Sequence, residues 1–255
     1  LDLNTGIGVS VLANSYKAGA EAAEKALKEL GDKKPHVIVA FAAPKFEQQK
    51  MVDGIKSVAK NTPMIGGTTA GEISTYGLSV NSVVVMAINS KDIKFYAGIG
   101  KNIAKNEVNA GKQLAENVLR KASKKNANTL VMLPDGLAGD GLAVIKGAQK
   151  VLGENFEIVG GSLGDESDFK HTYQYYNGKV YEDTVVGMLI CGGDKVKTAT
   201  GVRSGWESIG NRFKCTKSKG NVVYKFGDKR ALDLYRELLG KERGEKMPAI
   251  GLEYP

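Results

Sequence analysis

The chain has 255 residues, 42% of them hydrophobic, and a formal net charge of +8. That length can bury one large core or two modest ones, and no run of 18 or more apolar residues offers a membrane span. The cations are scattered, and the densest group, Arg120-Lys121 with Lys124-Lys125, closes a predicted helix, where positive charge offsets the helix dipole. Neither nucleic acid nor membrane is therefore an expected partner.

Taken in order, Gly6 to Ser10 reads as a short strand. Asn14 or Ser15 can cap a helix with Tyr16, Ala20, Ala23, Leu27 and Leu30 on one face and Gly31 as its stop. Val37 to Phe41 is a fully apolar run, the pattern of a strand covered on both faces. A second helix is predicted from Glu47 to Lys60, with Val52, Ile55 and Ala59 inward. Met64-Ile65-Gly66-Gly67-Thr68 then drives a strand into a glycine pair, and Ser82 to Ile88 and Lys94 to Gly98 read as two strands joined by a turn at 89–92.

The chain then starts again. Gly98-Ile99-Gly100 matches Gly6-Ile7-Gly8, and Ala110-Gly111 matches Ala18-Gly19, both 92 residues on. Ile145 and Gly147 match Val52 and Gly54 at offset 93, Gly160-Gly161-Ser162 matches Gly66-Gly67-Thr68 at 94, and Val185-Val186 matches Val83-Val84 at 102. Order kept over so many elements, with a slowly growing offset, points to an internal duplication. The largest insertion falls around His171 to Asp183. The expected fold class is α/β: mixed β-sheets flanked by helices, in two pseudo-symmetric units, 6–97 and 98–200, packed about a twofold axis. A hairpin around 218–220 and a helix capped by Asp228, with Ala231, Leu232, Tyr235, Leu238 and Leu239 on one face, follow.

The two units differ where chemistry would sit. Ala42-Ala43 becomes Asp135-Gly136, Gly71 becomes Asp165, and Glu47 becomes Asp140. Acids at the carboxyl ends of strands lie where open α/β sheets bind ligands. Asp135 and Asp165 can accept hydrogen bonds from an amine-bearing ligand, or they can organise their own turns. The glycine pairs Gly66-Gly67 and Gly160-Gly161, with Thr68 and Ser162, could cradle an anion through backbone amides, although no phosphate-loop lysine follows. His171 with Tyr173, Tyr175 and Tyr176 could face haem, or the tyrosines could simply cover a sheet. Trp206 either lines a pocket or plugs the core. Cys191 and Cys215 form neither CxxC nor a metal spacing, and no basic stretch precedes an apolar one at the start, so a reducing, cytoplasmic setting with both thiols packed is expected.

Leu133-Pro134-Asp135-Gly136-Leu137, Ile158-Val159-Gly160-Gly161 with Asp165, Gly205-Trp206 to Ile209-Gly210, and Gly220 to Tyr224 together resemble the FIST family of sensory domains. Ala231 to Gly240 looks like the opening of that family's second, C-terminal domain, with Arg230 where a proline is usual. The resemblance implies an N-terminal-like domain over 1–227 and the start of a C-terminal-like domain over 228–255. It further implies a non-catalytic input module that binds a small ligand such as an amino acid and reports to a separate signalling protein. Some bacterial members are described as haem-dependent nitric oxide sensors, which keeps a haem-based sensor as an alternative. An enzyme, hydrolase or transferase, using Asp135 and Asp165 as an acid–base pair is the other. No resident metal or cofactor is expected. The family's acidic and glycine positions fall on Asp135, Gly136, Gly160, Gly161 and Asp165.

Overall fold

The computed structural model describes every residue except Ser167, Ile209, Gly210, Pro248 and Pro255, so the expected Ile209-Gly210 motif lies outside the described residues. The chain divides into two compact units, Leu1–Thr200 and Gly201–Pro255.

The first unit contains the duplication. Its first half runs β1 (Leu3–Ser10), α1 (Ser15–Leu30), β2 (Val37–Ala42), α2 (Gln48–Ala59), β3 (Met64–Thr68), β4 (Glu72–Ser74), β5 (Gly77–Ser79) and β6 (Val83–Ser90). The second half repeats this as β7 (Lys94–Lys101), α3 (Glu107–Leu119), β8 (Ala127–Pro134), α4 (Gly141–Leu152), β9 (Glu157–Gly160), β10 (Gln174–Tyr176), β11 (Lys179–Tyr181) and β12 (Thr184–Cys191). Asn14, Asn106 and Asp140 cap α1, α3 and α4 by accepting from Lys17, Asn109 and Leu142 amides, satisfying donors that a helix start leaves orphaned.

Strand order is β1-β6-β2-β3-β10-β11 in one sheet and β7-β12-β8-β9 in the other. The shared order β1-β6-β2-β3 and β7-β12-β8-β9 establishes the duplication. In each half one parallel pair, β2–β3 or β8–β9, sits beside antiparallel neighbours. The expected pairing of Ser82–Ile88 with Lys94–Gly98 does not form. β6 is saturated on both edges by β1 and β2, so the chain leaves its sheet at residues 91–93 and β7 opens the next one.

The two sheets stack through a shared apolar layer that includes Val37, Ile65, Ile88, Leu133, Leu163, Val186 and Met188. Helices cover their outer faces, packed by Ala22, Ala26, Met51 and Ile55 on one and by Leu114, Ala115, Val144 and Leu130 on the other. The helix pairs approach closely through reciprocal glycines. A Cβ on Gly19 would lie 2.0 Å from Met51 O and one on Gly54 2.0 Å from Tyr16 O, and Gly111 and Gly147 repeat this against Val144 and Val108. That contact turns α1: its buried face is Ala18, Gly19, Ala22, Ala23, Ala26 and Leu30, whereas Tyr16, expected inward, is exposed. Small residues win the inner face because only they permit such an approach.

An exact twofold is not present. Hairpin β10–β11 crosses to pair with β3 of the first half, Tyr175 opposite Gly66. Its counterpart β4–β5 does not return the contact and forms its own two-stranded sheet. Residues 161–173 connect β9 to β10, whereas only 69–71 connect β3 to β4. The longer connection packs Leu163 and Gly164 against Gly67 and Ala70, a wedge for which the first half has no equivalent.

In the second unit β13 (Cys215–Lys219), β14 (Val222–Phe226) and β15 (Lys229–Arg230) form one sheet, followed by α5 (Ala231–Gly244), kinked at Gly240. The expected hairpin is β13–β14. Arg230, not Asp228, is the residue before the helix, because Lys229–Arg230 adds a third strand first. Leu234 is the buried apolar side chain of α5, while Leu232 and Leu238 are exposed. Cys191 packs in the core, and its burial pushes the thiol up to about 11. Cys215 is exposed, contrary to expectation, because all of β13 is solvent-facing. Among the described residues no helix is long and apolar enough to cross a membrane.

Candidate functional site

The glycine pairs owe their presence first to the sheet. Gly66 and Gly160 have φ of +155° and +145°, and a Cβ on either would lie 1.8 Å from the carbonyl oxygen of Ala40 or Met132 on the parallel neighbour. No side chain fits there. Their partners differ. A Cβ on Gly67 would strike Leu163 Cδ1 at 2.2 Å and Tyr173 O at 2.5 Å, whereas one on Gly161 meets nothing within 4 Å. Thr68 is buried, donating its amide to Tyr173 O and accepting from Tyr173 N at its hydroxyl, each at 3.0 Å. Ser162, its counterpart, is exposed, as are Gly136, Gly160 and Gly161.

Asp135 directly follows β8 and Asp165 lies on the 161–173 connection, and Thr172 of that connection bonds Asp135. Asp135 is 8% exposed. Its Oδ1 accepts from Leu137 N (2.9 Å), Ala138 N (3.2 Å) and Thr172 Oγ1 (2.6 Å), and its Oδ2 from Asp183 N (3.0 Å). Asp165 is 4% exposed. Its Oδ1 accepts from Phe169 N (3.2 Å), and its Oδ2 from Lys170 N (2.6 Å) and His171 N (3.1 Å). Both carboxylates are thus filled by donors of the 161–173 connection and its neighbours. Register also refines the comparison of halves. Asp135 N bonds Thr184 O as Ala43 N bonds Ser82 O, so Asp135 replaces Ala43 and Pro134 replaces Ala42. Asp140 is a helix cap, and Asp168 is an exposed residue 3.9 Å from Lys170.

Sequence reasoning missed the buried polar groups beside these aspartates. Gln174 accepts from Thr184 N and Oγ1 at its Oε1 and donates to Thr172 O and Oγ1. Glu72, 1% exposed, does the same work in the first half, accepting from Ser82 N (3.2 Å) and Oγ (2.7 Å) and from Thr69 Oγ1 (2.8 Å). The pairs Glu72/Gln174 and Ser82/Thr184 share offset 102, and that constant spacing was the available signal. Tyr175, fully buried, donates to Gln48 Oε1, and its burial raises its pKa well above that of a free phenol. His171 is exposed, with Nδ1 2.9 Å from Glu182 Oε2 and its ring stacked on Tyr173 at 6.1 Å. Among the described residues no group of three or more His, Cys, Asp or Glu is placed to hold a metal.

Trp206 lies in the second unit. It is 59% exposed, so it plugs no core. It lines a cleft of about 500 Å³ with Glu207, Asn211, Arg212, Tyr235, Leu238, Leu239, Glu253 and Tyr254. The Tyr235 hydroxyl is buried and has no hydrogen-bond partner among the described residues. Tyr235 was read from the sequence only as part of a helix face; its orphaned hydroxyl is visible only in three dimensions.

The chain thus combines a duplicated α/β unit, whose strand ends carry structured polar loops, with a smaller unit bearing an aromatic cleft. The model of the FIST N domain matches residues 36–229. The chain belongs to the FIST family, a family of sensory domains. Among curated proteins, the uncharacterized protein MJ1623 of Methanocaldococcus jannaschii is 23% identical over 239 residues, covering 90% of this chain and 45% of that protein. The chain therefore spans about half the length of this relative. Two solved cyanuric acid hydrolases show a distant likeness. The one from A. caulinodans has a TM-score of 0.43 at 8% identity, over 75% of this chain and 72% of that one. The other has a TM-score of 0.41 at 12% identity, over 75% and 69%.

Proposed function

We propose that this chain is a non-catalytic sensory module that takes a small ligand of amino-acid type in the cleft of its second unit and reports to a separate signalling protein. The observation that carries the proposal is the buried Tyr235 hydroxyl, without a partner among the described residues, on a cleft wall that also bears Arg212, Glu207, Glu253, Trp206 and Tyr254. A buried hydroxyl left unpaired costs about 1–3 kcal/mol, and a ligand acceptor offsets that cost on binding. Arg212 suits a carboxylate, Glu207 or Glu253 an ammonium group, and the aromatic rings an apolar body. Sensing then requires only that the ligand prefer one conformer of the module.

The strand-end loops form the second candidate surface, through exposed Gly136, Gly160, Gly161 and Ser162. There the Asp135 and Asp165 carboxylates shape the loop, with Gly67 and Thr68 packed against it and Gly66 held in β3 against Ala40. The same occupancy favours sensing over acid–base chemistry, since each carboxylate oxygen of Asp135 and Asp165 already accepts from the fold. His171 lies on the surface of this loop, its Nδ1 2.9 Å from Glu182 Oε2.

The test is a titration of the full chain with the twenty amino acids, followed by Trp206 emission and calorimetry. At least one should give a saturable change. Tyr235→Phe should weaken it about tenfold, and Arg212→Ala by about 10–150-fold, the range for losing a neutral or a charged hydrogen bond. No saturable ligand, or full affinity in both variants, would refute the assignment of this cleft.

A further inference from the structure

The contact that joins the two halves is made once and is available a second time. In the first half, β3 presents its outer edge and receives hairpin β10–β11. The equivalent edge in the second half is β9, which ends its sheet with no strand beside it among the described residues. The equivalent hairpin is β4–β5. Its root is anchored as that of β10–β11 is, by Glu72 on Ser82 in place of Gln174 on Thr184. Its tip stays over its own half, with Tyr76 Oη 3.5 Å from Glu29 Oε2. The chain therefore carries both an empty strand acceptor and an unused hairpin donor, and they do not meet each other.

The side chains on the two unused surfaces match. On the occupied edge, Gln49 of α2 holds the incoming hairpin, accepting from Val180 N and donating to Gly178 O, and Val52 is buried beneath. At offset 93 these positions are Leu142 and Ile145 of α4, which are 57% and 36% exposed beside β9. The donor changes in the same sense. Tyr175, fully buried on β3, corresponds to Ile73, which is 78% exposed, and Val180 corresponds to Leu78, 71% exposed. Gln49, the polar clamp of the occupied contact, is replaced by Leu142, and both partners of the unoccupied one expose apolar side chains. Such exposed apolar groups on an open strand edge are otherwise a hazard that soluble proteins suppress.

We propose that β9 and α4 of one copy receive the β4–β5 hairpin of a second copy, so that the contact between halves is repeated between chains. Strand addition supplies the backbone bonds, with Ile73 opposite Gly160 as Tyr175 lies opposite Gly66. The contact is heterologous: each copy donates a hairpin through one surface and accepts through another, which builds a ring where the rotation between copies closes and an open chain where it does not.

Light scattering of the full chain after size exclusion, at tens of micromolar, should give a multiple of the 27.2 kDa chain mass. The donor variant Ile73→Asp/Leu78→Asp and the acceptor variant Leu142→Asp should each be monomeric. All three positions are exposed, so the fold by circular dichroism should be unchanged, and melting should fall only by what association contributes. Val202→Asp, at a 94% exposed position of the second unit, should leave the assembly intact. Mixing the donor and acceptor variants should restore one contact and give a one-to-one dimer and nothing larger. A chain Ser74→Cys/Val159→Cys/Cys215→Ser should crosslink between copies on oxidation, since these positions match the facing pair Tyr176 and Ile65. A monomeric wild type, an assembly that survives the donor and acceptor variants, or failure of the mixture to dimerise would overturn the proposal.

Discussion

Replacing Asp165 by Asn separates a loop organiser from a ligand contact. An Asn that keeps its oxygen at the Oδ2 position retains the Lys170 and His171 amides but turns an NH2 group toward Phe169 N–H. Asp135→Asn behaves alike: an oxygen at Oδ1 keeps Leu137, Ala138 and Thr172, and the new NH2 faces Asp183 N–H. Each variant loses one charge-assisted bond and strands a buried donor against another donor, for about 2–4 kcal/mol. In a unit of this size, at about 2–4 °C per kcal/mol, melting should fall by roughly 5–15 °C. Asp168→Asn, at an exposed weak ion pair, should move melting by no more than about 2–4 °C, since such pairs contribute ~0–1 kcal/mol. The assay is thermal melting by circular dichroism, with amide exchange at residues 168–172 reporting on the loop. Native melting and native exchange in Asp165→Asn and Asp135→Asn would refute the reasoning and return both residues to the ligand.

Three further outcomes follow from the geometry. Gly160→Ala should destabilise by about 3 kcal/mol or more, from a strained φ and a clash with Met132 O, whereas Gly161→Ala, with open space around it, should stay within about 0.5 kcal/mol; equal melting temperatures would contradict this. Glu72→Gln should be tolerated to within about 1 kcal/mol because Gln174 fills the equivalent place, but Gln174→Glu should cost about 2–4 kcal/mol by setting a carboxylate against Thr172 O, as denaturant unfolding will show. The Asp2 amide, and secondarily Lys195, hold Asp92 down to about 2. A depressed carboxylate stabilises the fold above its ordinary value of 3.8 and loses that contribution as pH falls toward 2, so wild type should melt above Asp92→Asn at pH 5 and the gap should close by pH 2.

Local pattern made much of this fold legible. Apolar runs such as Val37–Phe41, the cap at Asn14, and the echo of Gly6-Ile7-Gly8 in Gly98-Ile99-Gly100 are short-range signals, and they defined the elements and the duplication. Partner choice between strands was not legible, because any apolar strand can pair with several others until the sheet edges are counted. Only the assembled sheets show β6 inserted between β1 and β2, and only they send β7 to a second sheet. The same holds at the site. Glycine pairs and strand-end aspartates stood out in the sequence, but the meaning of each depends on its neighbours across space. Met132 O lies 1.8 Å from where a Gly160 Cβ would be, donors from residues 137–138, 169–172 and 183 fill the two carboxylates, and Tyr235 hides a hydroxyl that no described residue answers. Composition and periodicity record what each residue prefers; which preferences are met, and which are left open for a partner, is settled by packing between segments far apart in the chain.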